Sequence, residues 1–117
     1  MIKISLDEGY VFDLLAIHLV KSRKKPSVLN YQNYFNLANE IKDQITLEKF
    51  SEVADSREFG ELVNINNAVF EAVDLAKTDE IPASAVDHLN YKRYLAKKKV
   101  QEKFFGGELK EQKIGYN

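Results

Sequence analysis

The stretch 55–77, DSREFGELVNINNAVFEAVDLAK, decides the reading of this chain. Its apolar residues Phe59, Leu62, Val63, Val69, Phe70, Val73 and Ala76 recur at spacings of three and four, which puts them on one face of a helix of about 3.6 residues per turn. Asp55-Ser56-Arg57-Glu58 has the spacing of a capping box and sets the helix start near 55–58, with its end near Lys77. One residue breaks the pattern: Asn66, a polar amide, stands in the middle of the apolar face.

The same periodicity extends outward on both sides. Ser5-Leu6-Asp7-Glu8 reads as a capping box for a first helix over 6–23, whose basic end (Lys21, Arg23, Lys24) suits the helix dipole. Pro26 breaks the chain, and Ser27 caps a second helix over 28–45 with the stripe Tyr31, Phe35, Ala38, Ile41 and Ile45, Tyr34 beside it. Thr46 opens a short helix carrying Leu47, Phe50 and Val53. After a loop at 78–83 that contains Pro82, Ser84-Ala85-Val86-Asp87 caps a last helix over 85–105 with Val86, Leu89, Ala96, Val100 and Phe104 on its apolar side. Gly106-Gly107 ends it. The expected architecture is all-α: one domain, 1–117, an antiparallel bundle of four long helices and one short one, with an extended tail at 108–117.

Composition bounds the function. The chain has 117 residues, 17 basic and 18 acidic side chains, and no cysteine, so disulfides, thiolate zinc sites and cysteine nucleophiles are excluded. Two isolated histidines make no metal site without carboxylates, and no Gly-rich phosphate loop or nucleophile elbow is present, so neither a cofactor, a metal nor a catalytic residue is expected. His18 falls on a mostly apolar helix and reads as a packed or half-buried residue; His88 faces solvent. The longest uncharged run near the N-terminus, 14–20, is far shorter than a membrane span and follows acids, so a cytoplasmic protein is expected.

Charge is distributed unevenly. The last helix carries Lys92, Arg93, Lys97, Lys98, Lys99 and Lys103 against Asp87 and Glu102, whereas 46–80 holds nine acids and three bases. A basic face with Tyr91 and Tyr94 for stacking is one reading, a nucleic-acid surface. The preferred reading is electrostatic complement to the acidic helix, because arginine, the better phosphate reader, occurs only three times.

Polar residues inside apolar stripes mark the candidate site. Asp13 lies among Leu6, Tyr10, Ile17 and Val20; Asn66 among the residues quoted above; Arg93 among Val86, Leu89, Ala96 and Val100, flanked by Asn90 and Lys97. A buried charge is tolerated when it is paired and hydrogen-bonded. Arg93 is therefore expected within hydrogen-bonding distance of Asp13, with Asn66 nearby and Asp74 as the reserve partner. The six residues Asp13, Asn66, Asp74, Asn90, Arg93 and Lys97 serve either as an internal pair that fixes helix register or as a cleft for a small polar or anionic ligand.

Several of these positions also carry a resemblance. Gly9, Asp13-Leu14-Leu15-Ala16-Ile17 and Lys21 match in the first helix. Ile65-Asn66, Val69-Phe70 and Val73-Asp74 match in the fourth, and Asn90, Arg93, Lys97 and Val100-Gln101 in the last. Glu108-Leu109, Glu111, Lys113 and Tyr116 match in the tail. On these residues the chain resembles an uncharacterised family of small helical proteins found in bacteria and marine phages, a domain of unknown function. That family often has tryptophan in place of Phe70 and an acid in place of Tyr10, and its tail tyrosine is shifted by one residue. The match covers most of the chain, is strongest after Glu61, and is weak over 26–56. The resemblance implies weight for Asp13, Asn66 and Arg93 and supplies no activity.

The function expected first is a non-enzymatic interaction protein acting as a homodimer, since small cores gain by association and six Tyr and seven Phe are many for this length. A ligand-binding protein or enzyme using the cleft around Asp13, Asn66 and Arg93 is the alternative, and nucleic-acid binding by the last helix the third. The tail is expected to fold back over the bundle or a partner subunit by burying Tyr116.

Overall fold

The structure, a computed structural model, describes residues 1, 2 and 4–107. Among them there are five helices and no β-strand: α1 (Glu8–Lys24), α2 (Val28–Gln44), α3 (Leu47–Ala54), α4 (Arg57–Lys77) and α5 (Ala83–Phe104). The all-α bundle of four long helices and one short one is thus the fold. The expected tail packing and the burial of Tyr116 lie outside the described residues.

Two side-chain caps form as the sequence suggests, since Ser27 Oγ accepts the Asn30 N–H and Thr46 Oγ1 that of Lys49, both at 3.1 Å. Others differ. The chain enters α1 at Asp7, not Ser5, and neither residue's side chain caps the helix. α4 is capped by Ser56, whose Oγ accepts the Phe59 N–H at 3.0 Å, because Glu58 turns outward to Lys103 instead of reaching back to Asp55. Pro82, not Ser84, precedes α5 and leads into the helix from an extended backbone. At the end of α4, Asp79 takes φ 59 while the Glu80 N–H bonds to the Leu75 carbonyl at 2.9 Å, closing the helix in a left-handed turn.

The core is built around Phe12, with Leu15, Ala16 and Val20 of α1 against Phe59, Leu62 and Val63 of α4 and Val100 of α5. The Phe12 ring meets Phe59 edge-on and Phe50 and Phe105 at a tilt, all with centroids about 6 Å apart. Glu58 at the start of α4 binds Lys103 at the end of α5 at 2.6 and 2.9 Å, so these two helices run antiparallel. Lys24 of α1 bonds Glu71 of α4 at 3.0 Å. α1 and α4 run in the same sense, because the α2–α3 pair lies between them in the chain and carries it back.

α2 departs from the expected stripe. Its buried residues are Ala38 and Ile41, with Tyr34, Leu37 and Ile45 partly buried against the core. Tyr31 and Phe35 are 46% and 57% exposed. The expected stripe holds at Ala38, Ile41 and Ile45 and fails at Tyr31 and Phe35: Tyr34 takes their place against the core, and the first turns of α2 carry exposed apolar side chains with nothing to cover them among the described residues.

Candidate functional site

Three helices converge on Asp13. It sits mid-way along the buried side of α1 and is 2% exposed. Its Oδ1 accepts from Asn66 Nδ2 at 2.8 Å, and the same amide nitrogen donates to the Leu62 carbonyl at 3.0 Å, one turn back in α4. Oδ2 faces two cations of α5, Arg93 Nε and Lys97 Nζ, each at 3.7 Å. Arg93 and Lys97 are one turn apart, so both present to the same carboxylate. Lys97 Nζ also lies 5.1 Å from the centroid of the Tyr10 ring.

This geometry corrects the expectation in one respect. Arg93 pairs with Asp13 as an ion pair, at a distance longer than a hydrogen bond. Lys97 comes equally near and is the more deeply placed cation, its side chain 5% exposed against 29% for Arg93. The reason is position: Lys97 shares the buried face of α5 with Val100 and Gln101, whereas Arg93 lies nearer the rim. Asp74 is exposed and forms no part of the cluster. Asn90 is half-buried and makes no hydrogen bond to Asp13 among the described residues. Of the six candidate residues, the structure brings four together.

A second polar node lies one turn further along α5. Gln101, 4% exposed, accepts the Gly9 N–H on Oε1 at 2.7 Å. Its Nε2 donates to Glu8 Oε2 at 3.1 Å and to the Gly106 carbonyl at 3.2 Å. Residue-type periodicity on α5 does not single Gln101 out, because its burial depends on where α1 begins. Among the described residues no buried side-chain polar atom lacks a partner, so both nodes are satisfied.

The basic run of α5 is engaged with acids. Lys103 binds Glu58, Lys99 lies 3.9 Å from Glu61, and Lys98 3.8 Å from Glu102. Lys103 holds the Glu58 carboxyl below its ordinary value by a direct hydrogen bond, and Lys24 does the same for Glu71. His18 is half-buried on α1 and held below its ordinary value, first by burial and then by the nearby Lys21. Among the described residues no group of three His, Asp or Glu side chains is arranged to hold a metal, and no helix is long and apolar enough to cross a membrane.

The surface that sequence reasoning missed is on α2. Val28, Tyr31 and Phe35 are 73%, 46% and 57% exposed and, at spacings of three and four, share one face over two turns. The Phe35 ring is braced edge-on by Tyr34, centroids 5.4 Å apart. A signal for this surface was present: 26–39 holds no charged residue, in a chain where 30% of residues are charged. A helix exposed to water along one face ordinarily carries charges there.

Fold and site together define a five-helix all-α protein with a self-paired buried carboxylate at the junction of α1, α4 and α5. Compared with family models, curated proteins and solved structures, the chain finds no match.

Proposed function

We propose that this protein is a non-enzymatic interaction module of the cytoplasm that acts as a homodimer through the N-terminal half of α2. The observation that carries this reading is the uncharged, exposed face of Val28, Tyr31 and Phe35. Aromatic side chains with few charges are the composition of interface cores. An uncharged face also suits contact with its own copy, since a two-fold contact sets each residue near its equivalent and any charge near its like. Two α2 helices crossing at Tyr31 and Phe35 would bury both stripes at once at an ordinary interaxial distance of about 8–10 Å.

The alternative reading, a cleft for a small polar or anionic ligand at Asp13, Asn66 and Arg93, has less support. Both carboxylate oxygens of Asp13 are already engaged, which suits a cluster that fixes helix register. The resemblance to the small helical family of bacteria and marine phages belongs to the same proposal, since Asp13, Asn66, Arg93 and Lys97 are among its matched positions. The third reading, nucleic-acid binding by α5, meets bases already opposed by acids.

Light scattering coupled to size exclusion tests the dimer. The wild-type chain should elute at twice its 13.5 kDa mass. Tyr31→Glu with Phe35→Glu should elute at the single mass with its helical circular dichroism unchanged, because both side chains are exposed in one protomer. A wild-type protein that stays at the single mass at the highest concentration reached sinks the homodimer.

A further inference from the structure

Where the start of α1, the end of α2 and the segment 4–6 come together, they enclose a groove of about 510 Å³. That size is ordinary for a small-molecule site, ~300–1,000 Å³. Its walls are apolar, with Val11, Phe12 and Leu14 from α1 and Leu37, Ile41 and Ile45 from α2. Phe12 and Ile41 are buried, whereas Val11, Leu14, Leu37 and Ile45 are each only partly covered. Half-covered aliphatic side chains gathered around one hollow leave apolar area that a ligand can take out of water.

The charge of the groove has one sign. The polar members of its lining are Ser5, Glu8, Glu40 and Gln44, two carboxylates and no base. Glu8, the first residue of α1, is held in place by Gln101 Nε2, which donates to its Oε2 at 3.1 Å. Glu40 is exposed on α2. Of the bases nearest in sequence, Lys42 places its Nζ 4.9 Å from the centroid of the Phe50 ring and takes no part in the lining; nor does Met1. Lys3 lies outside the described residues. The positive end of the α1 dipole and the negative end of the α2 dipole meet here and offset each other. Among the described residues, the charge at the groove is that of the two carboxylates.

We infer that this groove is a binding site for a small organic cation, whose apolar body lies between α1 and α2 and whose positive group sits at the carboxylates of the rim. The apolar body supplies affinity by leaving water, and the carboxylates select a cation over an anion of the same shape. An alkylammonium is the simplest member of this class. The trough runs about 9 Å along α1 from Glu8 to Leu14 and about 12 Å along α2 from Leu37 to Ile45, room for a chain of moderate length. The site is separate from the exposed stripe of α2 and from the Asp13 cluster, and it stands whether or not the chain dimerises.

Titrating octylammonium, octanoate and octanol into the isotope-labelled full chain tests the site. Octylammonium should shift the backbone amides of Leu6, Val11, Leu14, Leu37 and Ile45, and leave those of Val28, Tyr31 and the 78–83 loop in place. Its Kd should be at least about tenfold below that of octanoate, because a rim of one sign attracts the first and repels the second. Octanol should fall between them. Glu40→Gln changes an exposed side chain, and Glu8→Gln keeps an acceptor for Gln101. Together they should bring octylammonium to the level of octanol with the helical circular dichroism unchanged. Equal affinities for the three probes, or a preference for the cation that survives the double variant, overturn the cation site. Shifts centred outside the groove, or none, overturn the groove as a binding site. Groove shifts that follow protein concentration without any probe mean that a second copy fills it, and overturn the small-ligand reading.

Discussion

Gln101 Oε1 accepts the Gly9 backbone N–H at 2.7 Å, so the last helix caps the first. The first N–H groups of any helix lack intrahelical partners, and a side chain near the start normally supplies one. In α1 that local cap is absent, and a residue 92 positions away takes its place. The contact ties the two ends of the fold to each other.

Removing that cap should be costly. Gln101→Leu keeps side-chain bulk but leaves the buried Gly9 N–H without its acceptor and releases Glu8 and the Gly106 carbonyl. A stranded buried backbone donor costs about 1–3 kcal/mol. Chemical denaturation should show a loss in that range with an unchanged slope. Gln101→Glu retains an acceptor for Gly9 while losing both donated bonds and placing a carboxylate beside Glu8, so it should also destabilise. A Gln101→Leu variant as stable as the wild type removes this account of how α1 starts.

Gly60 offers a gain. It lies exposed in the first turns of α4, and a Cβ built there meets nothing within 4 Å. Its backbone is helical, so alanine fits without strain and lowers the entropy of the unfolded chain. Gly60→Ala should stabilise by about 1 kcal/mol, read as a higher midpoint in urea. A loss of stability would mean that something approaches this face of α4 in the assembled protein.

Acid should weaken the fold in two windows. The His18 pKa is depressed in the folded state, so the unfolded chain takes up a proton more readily. The contribution of neutral His18 is complete above the unfolded value of about 6.5 and is lost as pH falls from there through the folded value. Glu58 and Glu71, also depressed, contribute above about 4.5 and lose it as pH falls through their folded values. His18→Gln should therefore flatten the melting-temperature profile as pH falls below about 6.5 and leave the carboxylate limb in place. An unchanged upper limb excludes His18 as its source.

The helices were legible in the sequence because their period is a local property, and α4 shows it: Phe59, Leu62, Val63 and Val69 are all buried as read. Asn66 and Asp13 were legible for the same reason, as polar residues at apolar positions. What the sequence could not supply was the angle at which helices cross. In α2 the stripe Tyr31, Phe35, Ala38, Ile41, Ile45 is right in its last three members, and only the docking on α1 turns Tyr34 to the core in place of Tyr31 and Phe35. Lys97 was legible as a flank of Arg93, but its depth, and the burial of Gln101, were hidden by a similar effect. Long polar side chains appear at the edge of an apolar face in a helical wheel, yet α1 covers that edge of α5. The Ser5 and Ser84 caps failed because tertiary contacts and a proline set those helix starts.

The buried cluster gives the most discriminating test. Asp13→Leu removes the carboxylate that faces both Arg93 and Lys97, and it leaves Asn66 without its 2.8 Å acceptor. Breaking a buried ion pair from one side costs about 3–5 kcal/mol. The two cations should then respond differently. Arg93, 29% exposed, can turn its guanidinium toward water, whereas Lys97, 5% exposed, cannot do so without moving α5. Adding Lys97→Met to Asp13→Leu should recover a substantial share of the loss by removing the deeper charge and filling the space, and adding Arg93→Met should recover less. The double-mutant cycles are read by denaturant unfolding. A larger rescue by Arg93→Met, or a cost for Asp13→Leu below about 1 kcal/mol, overturns the ranking and with it the assignment of Lys97 as the principal buried partner.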